Sequence, residues 1–228
     1  MTGATPWRKR LRRWLRPAAP GLLRRTAPVS DVWGFDRGTP VDRHYIEGFL
    51  AAHRDDVRGR VLEVKDSAYI DRFGRGVERR EVLDIDAANP QATLIADLTD
   101  PSAFPEAGFD CFILTQTLHL LWDVRAGARS AHRLLRPGGV LLATAPAVSR
   151  ISRGAGTEGD FWRFTPAAFR KLLEEPFGAG QVTVQSYGNV LAGIAALTGL
   201  AREEIPRRRL DVRDEFFPVI VAARAVKA

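Results

Sequence analysis

Five short aliphatic runs constrain the fold of this chain more than any other feature. They are Arg60-Val-Leu-Glu-Val-Lys65, Glu81-Val-Leu-Asp-Ile-Asp86, Ala92-Thr-Leu-Ile-Ala-Asp97, Phe109-Asp-Cys-Phe-Ile-Leu114 and Gly139-Val-Leu-Leu-Ala-Thr144. Strict apolar–polar alternation is missing, so these runs suit strands covered on both faces in a parallel sheet. Between the fourth and fifth runs, Val124, Ala128, Ala131, Leu134 and Leu135 follow helical spacing, and Arg136-Pro-Gly-Gly139 supplies the stop. Thr165-Pro166 sets an N-cap residue before a first-turn proline and opens a helix to about Glu175. Gly188–Leu200 reads as an apolar helix between two late strands, Gln181–Gln185 and Phe217–Ala222. Strands alternating with helices predict one α/β domain over residues 31–228, led by a helix within 31–57.

Composition agrees with a globular body and relocates its charge. Apolar residues are 45% of 228, enough for a sizeable core, and the formal net charge is +7. Residues 1–30 hold eight basic side chains and no acid, leaving 26 basic and 27 acidic residues in the remainder. The basicity is therefore that of a tail, and the near-neutral body argues against a phosphate-tracking surface and specific nucleic-acid binding. In the tail, Trp7, Leu11, Trp14 and Leu15 fall on one helical stripe. Two readings stand for residues 7–16: an arm making weak contact with a membrane surface or a partner, or a disordered, solvated extension. One cysteine, Cys111, excludes an internal disulfide and a cysteine-built metal site, and no histidine–acid spacing indicates a metal. No apolar run reaches membrane-spanning length, and no apolar h-region follows the basic N-terminus, so the expected location is cytoplasmic.

Acidic residues recur at the strand ends: Glu63, Asp84 or Asp86, and Asp97. In open parallel sheets ligands bind outside the carboxyl ends of the strands. A carboxylate after the second strand can accept hydrogen bonds from ribose hydroxyls, and one after the third can meet an adenine amino group. The order of elements, with Val61-Leu-Glu-Val64, Val82-Leu-Asp-Ile-Asp86, Ala96-Asp-Leu98, Phe109-Asp110 and Leu134-Leu-Arg-Pro-Gly-Gly-Val-Leu-Leu142, resembles the class I S-adenosylmethionine-dependent methyltransferases over about residues 58–225. Asp160-Phe-Trp-Arg-Phe-Thr-Pro166 is similar to a segment that follows the fifth strand in many members. The resemblance implies a Rossmann-like sheet of seven mostly parallel strands with helices on both faces and an antiparallel last strand. It also implies S-adenosylmethionine as cofactor. The expected cofactor residues are Glu63, Asp66, Ser67, Asp86, Asp97, Leu98 and Gln116.

The chain departs from the family at one motif. An acidic-x-Gly-x-Gly turn usually follows the first strand, and here the chain reads Glu63-Val-Lys-Asp-Ser67. Either Asp66, Ser67 and Tyr69 build a different turn that still holds the cofactor, or the domain no longer transfers methyl groups. A subset of methyltransferase-like proteins associated with glycosyltransferases and sugar or antibiotic pathways is similar in this turn and in a leader like Trp33–Ile46.

The leader offers Arg37 or Arg43 for the methionine carboxylate of the cofactor, a charge-assisted contact. The resemblance also directs attention to Thr115–Leu120, after the fourth strand. There His119 is the candidate catalytic base for a hydroxyl acceptor, with a packed core histidine as the other reading. Arg43, Tyr45, Trp162 and Arg163 are the candidate acceptor-binding residues, the aromatic loop at 160–164 being either a pocket wall or a staple onto the next helix. The expected function is methyl transfer to a small-molecule acceptor, by O-methylation of a sugar or secondary metabolite. The alternative is a non-catalytic module that supports a glycosyltransferase partner.

Overall fold

The computed structural model describes residues 26–104 and 108–228. The arm at residues 7–16, and most of the basic tail, lie outside them.

Seven strands form one sheet in the order β3-β2-β1-β4-β5-β7-β6. They are β1 (Gly59–Val64), β2 (Val77–Asp84), β3 (Leu94–Ile95), β4 (Phe109–Thr115), β5 (Leu135–Pro146), β6 (Val182–Tyr187) and β7 (Ile220–Val226). The pairs β1–β2, β1–β4, β2–β3 and β4–β5 are parallel, and β7 runs antiparallel to both β5 and β6. The helices are α1 (Val41–Ala52), α2 (Ala68–Phe73), α3 (Val124–Leu134), α4 (Pro166–Phe177), α5 (Val190–Thr198) and α6 (Arg207–Leu210).

Aliphatic strands without alternation follow from two cores. Leu62, Phe112, Leu114 and Leu141 pack with Leu134, Phe169 and Leu173 of α3 and α4. Val61, Cys111, Ile113 and Leu142 pack on the opposite face with Ile46, Phe49 and Leu50 of α1, Ile70 of α2 and Ala192 of α5. Successive residues of one strand thus enter different cores, as the two-residue period of a strand requires. Burial pushes the Cys111 thiol pKa up, which keeps it a neutral core side chain.

Local signals explain most boundaries. The Asp123 carboxylate accepts from Ala126 N to cap α3, and the Thr165 hydroxyl accepts from Ala168 N to cap α4. Within β5 a side chain on Gly139 would meet the Phe109 and Arg136 carbonyls at 2.8 and 2.9 Å. Only glycine lets β5 run that close to the start of β4. Several strands differ from the expectation: β2 begins at Val77, not Glu81, and β5 at Leu135, not Gly139. β3 is reduced to two residues because it pairs only with Leu83 and Asp84 at the sheet edge. β7 begins at Ile220, not Phe217, because its register against β5 starts with Pro146 opposite Ile220. Phe217 lies in a turn, its amide donating to the Asp214 carbonyl.

The strand order reverses between β1 and β4. There the crossovers leave to opposite faces, so a crevice opens beyond the carboxyl ends of these two strands.

Candidate functional site

Two adjoining cavities occupy that crevice, of about 460 and 400 Å3, and Arg43, Lys65, Gln116 and Leu120 line both. The larger one lies over the ends of β1 to β4. Glu63, Lys65 and Asp66 reach it from β1 and its turn, Leu83 and Asp84 from β2, and Asp97 and Leu98 from beyond β3. The smaller one is walled by Trp33 and Phe35 of the leader, by His119, and by the segment running from Pro146 past Arg150 to Asp160.

The turn after β1 forms without the glycines. Lys65 stands at the first glycine position of the acidic-x-Gly-x-Gly pattern and has φ +78°, the left-handed conformation that glycine adopts freely. A side chain there costs roughly 1–2 kcal/mol. Two hydrogen bonds hold it: Lys65 N donates to the Leu83 carbonyl at 2.8 Å, and the Lys65 carbonyl accepts from Asn89 Nδ2 at 2.7 Å. The Glu63 carboxylate accepts from Tyr69 N at 3.1 Å and Ile70 N at 2.8 Å, fastening the strand to α2. Burial pushes the Glu63 carboxyl up to about 8, against the pull of those two donors. Asp66 Oδ1 accepts from Ala68 N at 3.0 Å and starts the helix. Ser67 stands at the second glycine position with ordinary backbone angles, bonds to Asp71, and does not line either cavity.

At the end of β2 the structure distinguishes the two acids. Asp84 lines the larger cavity, accepting from Asp86 N at 3.0 Å and from Asn89 Nδ2 at 2.6 Å. Burial pushes its pKa up, but those hydrogen bonds outweigh burial and hold it below the usual carboxylate range. Asp86 lies in the following turn, where it accepts from Ala88 N, and is not part of the cavity wall. Asn89, bridging the β1 turn and Asp84, was not among the expected residues; its only signal was a turn-forming Asn-Pro pair. Asp97 accepts from Thr99 N at 2.8 Å at the cavity edge, with the Leu98 side chain buried beside it.

Gln116 has φ +49°, a second non-glycine residue in the left-handed region, and sits where the two cavities meet. Such outliers concentrate at functional sites. Its amide donates to the Thr144 carbonyl at 2.9 Å. Beyond it, His119 is buried, and its Nδ1 has no hydrogen-bond partner. Burial pushes its imidazole down to about 4, with nearby Asp160 opposing, so the ring is neutral at pH 7. Asp160 is committed elsewhere, paired with Arg163 at 2.5 Å and accepting from Ser152 N at 2.8 Å. The Arg150 guanidinium stacks on Trp33 with 3.9 Å to the ring centroid, and its buried Nε is also without a partner.

The structure separates the other acceptor candidates. Arg43 stands between the cavities and hydrogen-bonds the Tyr69 hydroxyl. Arg37 is held by Glu204 instead. Tyr45 faces the α1 core, its hydroxyl donating to the Leu210 carbonyl at 3.0 Å, and burial pushes that hydroxyl up to about 12. Trp162 lies outside both cavities, donating from Nε1 to the Leu121 carbonyl at 2.8 Å and stacking on Trp122. Arg163 braces the loop through Asp160 and the carbonyls of Ser149 and Arg150. Phe164 packs on Phe169, a staple across the α4 N-terminus, so this aromatic segment fixes the helix entry.

Fold and site together are those of an α/β protein with a divided crevice at its switch point. The family model for a methyltransferase domain matches residues 57–143, from just before β1 into β5. Over that stretch the chain is similar to a methyltransferase domain, the class of fold that its sheet order and crevice also present. No curated protein matches it. Among solved structures it is similar to an S-adenosylmethionine-dependent methyltransferase from Mesorhizobium loti, at 17% identity, 85% of this chain, 100% of that one and a TM-score of 0.51. It is also similar to the N-methyltransferase NodS from Bradyrhizobium japonicum WM9 in complex with S-adenosyl-L-homocysteine, at 16% identity, 90% of this chain, 96% of that one and a TM-score of 0.52. At these identities the likeness is one of fold.

Proposed function

We propose that this chain transfers a methyl group to a hydroxyl of a small-molecule acceptor, with the cofactor in the larger cavity and the acceptor in the smaller one. The observation that carries the reading is the junction of the two cavities at Gln116, with the neutral, unpartnered His119 imidazole on the acceptor side. The residues fit the cofactor: the β1 turn keeps a glycine-like conformation at Lys65, and Asp84 is held ionised at the cavity wall. Asp84 would hold the ribose hydroxyls, Asp97 and Leu98 the adenine, and Arg43 the methionine carboxylate, while Glu63 and Asp66 keep the turn in shape. Ser67 and Asp86 act at a remove, through the α2 start and the β2 turn. When bound, the cofactor supplies an electrophilic methyl on a sulfonium.

The protein then has two tasks. It positions the acceptor oxygen against the junction, which converts an encounter into a near-unimolecular step. It also takes the hydroxyl proton, for which the neutral His119 ring lining the acceptor cavity is the candidate group. A sugar or secondary metabolite fits a cavity of about 400 Å3. No observation on the described residues favours the reading as a support for a glycosyltransferase.

The test is methyl-labelled S-adenosylmethionine with a panel of hydroxyl, amine and carbon-acid acceptors, comparing the native chain with His119→Asn. Label enters a hydroxyl compound, and the variant loses roughly 10²–10⁴-fold in kcat with cofactor affinity unchanged. Label on an amine or carbon, or full activity in the variant, would remove the O-methylation reading.

A further inference from the structure

The wall of the smaller cavity holds a guanidinium that its own surroundings do not complete. Arg150 lines this cavity, with its guanidinium over the Trp33 ring at 3.9 Å to the centroid. One Nη donates to the Asp31 backbone carbonyl, and the buried Nε has no partner. A guanidinium carries five donors and keeps its charge, and a buried donor left unpaired costs free energy. The neighbouring acids are taken by other arginines: the Asp31 carboxylate pairs with Arg153 at 2.9 Å, and Asp160 with Arg163 at 2.5 Å. Among the described residues no carboxylate is paired with Arg150. Burial, then the charge of Arg153, push its pKa down against the pull of Asp31.

The other charged groups on this cavity have work elsewhere. Arg43 and Lys65 stand where it meets the larger cavity, Arg43 on the Tyr69 hydroxyl and Lys65 close enough to Asp84 to lower its pKa. Asp42 is next to Arg43, and burial pushes its carboxyl up, toward the neutral form. Arg150 does not reach the larger cavity. The Trp33 ring that covers it is held there under strain. Trp33 has φ +57°, a conformation that bulky side chains rarely adopt and that collects at ligand clamps. Ser30 Oγ accepts from Gly34 N at 2.9 Å, and a side chain on Gly34 would stand 3.0 Å from the Gly199 and Leu200 carbonyl oxygens, so the turn is pressed onto the end of α5. The ring takes water from one face of the guanidinium, and a charge-assisted contact is stronger where water is displaced.

We propose that Arg150, backed by Trp33, is an anion clamp in the acceptor cavity, so that the acceptor is a hydroxyl compound that also bears a carboxylate or a phosphate. The proposal rests on the reading of the smaller cavity as the acceptor's. Arg150 takes the acid group and leaves the hydroxyl to the side of the cavity that His119 and Gln116 line.

The experiment is isothermal titration of the full chain with no cofactor added, so that the result does not depend on methyl transfer. The probes are D-glucuronate and D-glucose 6-phosphate beside D-glucose, and 4-hydroxybenzoate beside 4-hydroxybenzyl alcohol. At least one acid is expected to bind about tenfold or more tightly than its neutral twin, and the two sugar acids tell carboxylate from phosphate. Arg150→Gln should abolish that preference with an unchanged far-ultraviolet circular dichroism spectrum. Arg150→Lys should keep only part of it, and serves should the glutamine variant misfold. A packing defect would weaken acid and neutral twin alike, so the preference reads the clamp and not the fold. Equal affinity within both sets, no binding of any acid, or a preference that both variants leave intact would overturn the clamp and leave the O-methylation reading standing. Label from methyl-labelled S-adenosylmethionine on an amine or carbon, with the Arg150-dependent preference intact, would remove the O-methylation reading and uphold the clamp.

Discussion

Lys65 does the work usually assigned to a glycine. It holds φ +78° because its amide and carbonyl are both captured, by Leu83 and Asn89, and the strain is local. Lys65→Gly should therefore raise the unfolding free energy by up to about 1 kcal/mol in urea denaturation, since relief of strain is set against the entropy glycine adds to the unfolded chain. A drop in stability would show that the lysine side chain itself stabilises the turn. The sequence made the acids at strand ends legible but not this conformation, because the backbone angle is imposed by residues 18 and 24 positions away in the chain. The same limit applied to Asp84 and Asp86: both were candidates by spacing, and only the strand's end at Asp84 put one of them at the cavity.

Among the elements, those with local start signals were the most readable. The Thr165-Pro166 opening acts through nearest neighbours and the structure uses it, whereas the helix expected to stop at Arg136–Gly139 ends at Leu134 and that segment lies inside β5. β3 and β7 were placed less well because pairing partners distant in sequence set their lengths and starts. Trp162 and Arg163 looked like an acceptor wall by composition, but their hydrogen bonds to Leu121, Ser149 and Arg150 carbonyls make them braces, and nothing in the residue types distinguishes the two. Asn189 shows how closely α5 depends on one side chain. It caps the helix by accepting from Ala192 N and donates to the carbonyls of Arg209 and Val212 at 2.8 and 2.7 Å. Asn189→Ala should cost about 2 kcal/mol, the loss of a cap together with two hydrogen bonds, read from the shift of the urea midpoint at constant slope.

At the scale of the whole molecule, two buried groups give stability opposing pH dependences. Glu63 has its pKa raised from 4.5 to about 8, so the folded state keeps a proton that the unfolded chain releases, and stability from this group falls as pH rises over that window. His119 is lowered from 6.5 to about 4, so its contribution is complete above 6.5 and lost as pH falls toward 4. The two oppose each other between 4.5 and 6.5, and between 6.5 and 8 Glu63 acts without it, by roughly 2 kcal/mol. Unfolding free energies across that upper window should decline in the native protein and flatten in Glu63→Gln. An equal decline in the variant would place the titrating group elsewhere.

Everything chemical here depends on the turn without glycines still accepting the cofactor. Isothermal titration of the full chain with S-adenosylhomocysteine tests this most directly, with Asp84→Ala as the partner measurement. Saturable one-to-one heat at micromolar ligand, weakened at least tenfold in the variant, is the predicted result. No heat at millimolar ligand in the native chain, or heat that Asp84→Ala leaves unchanged, would contradict the cofactor site.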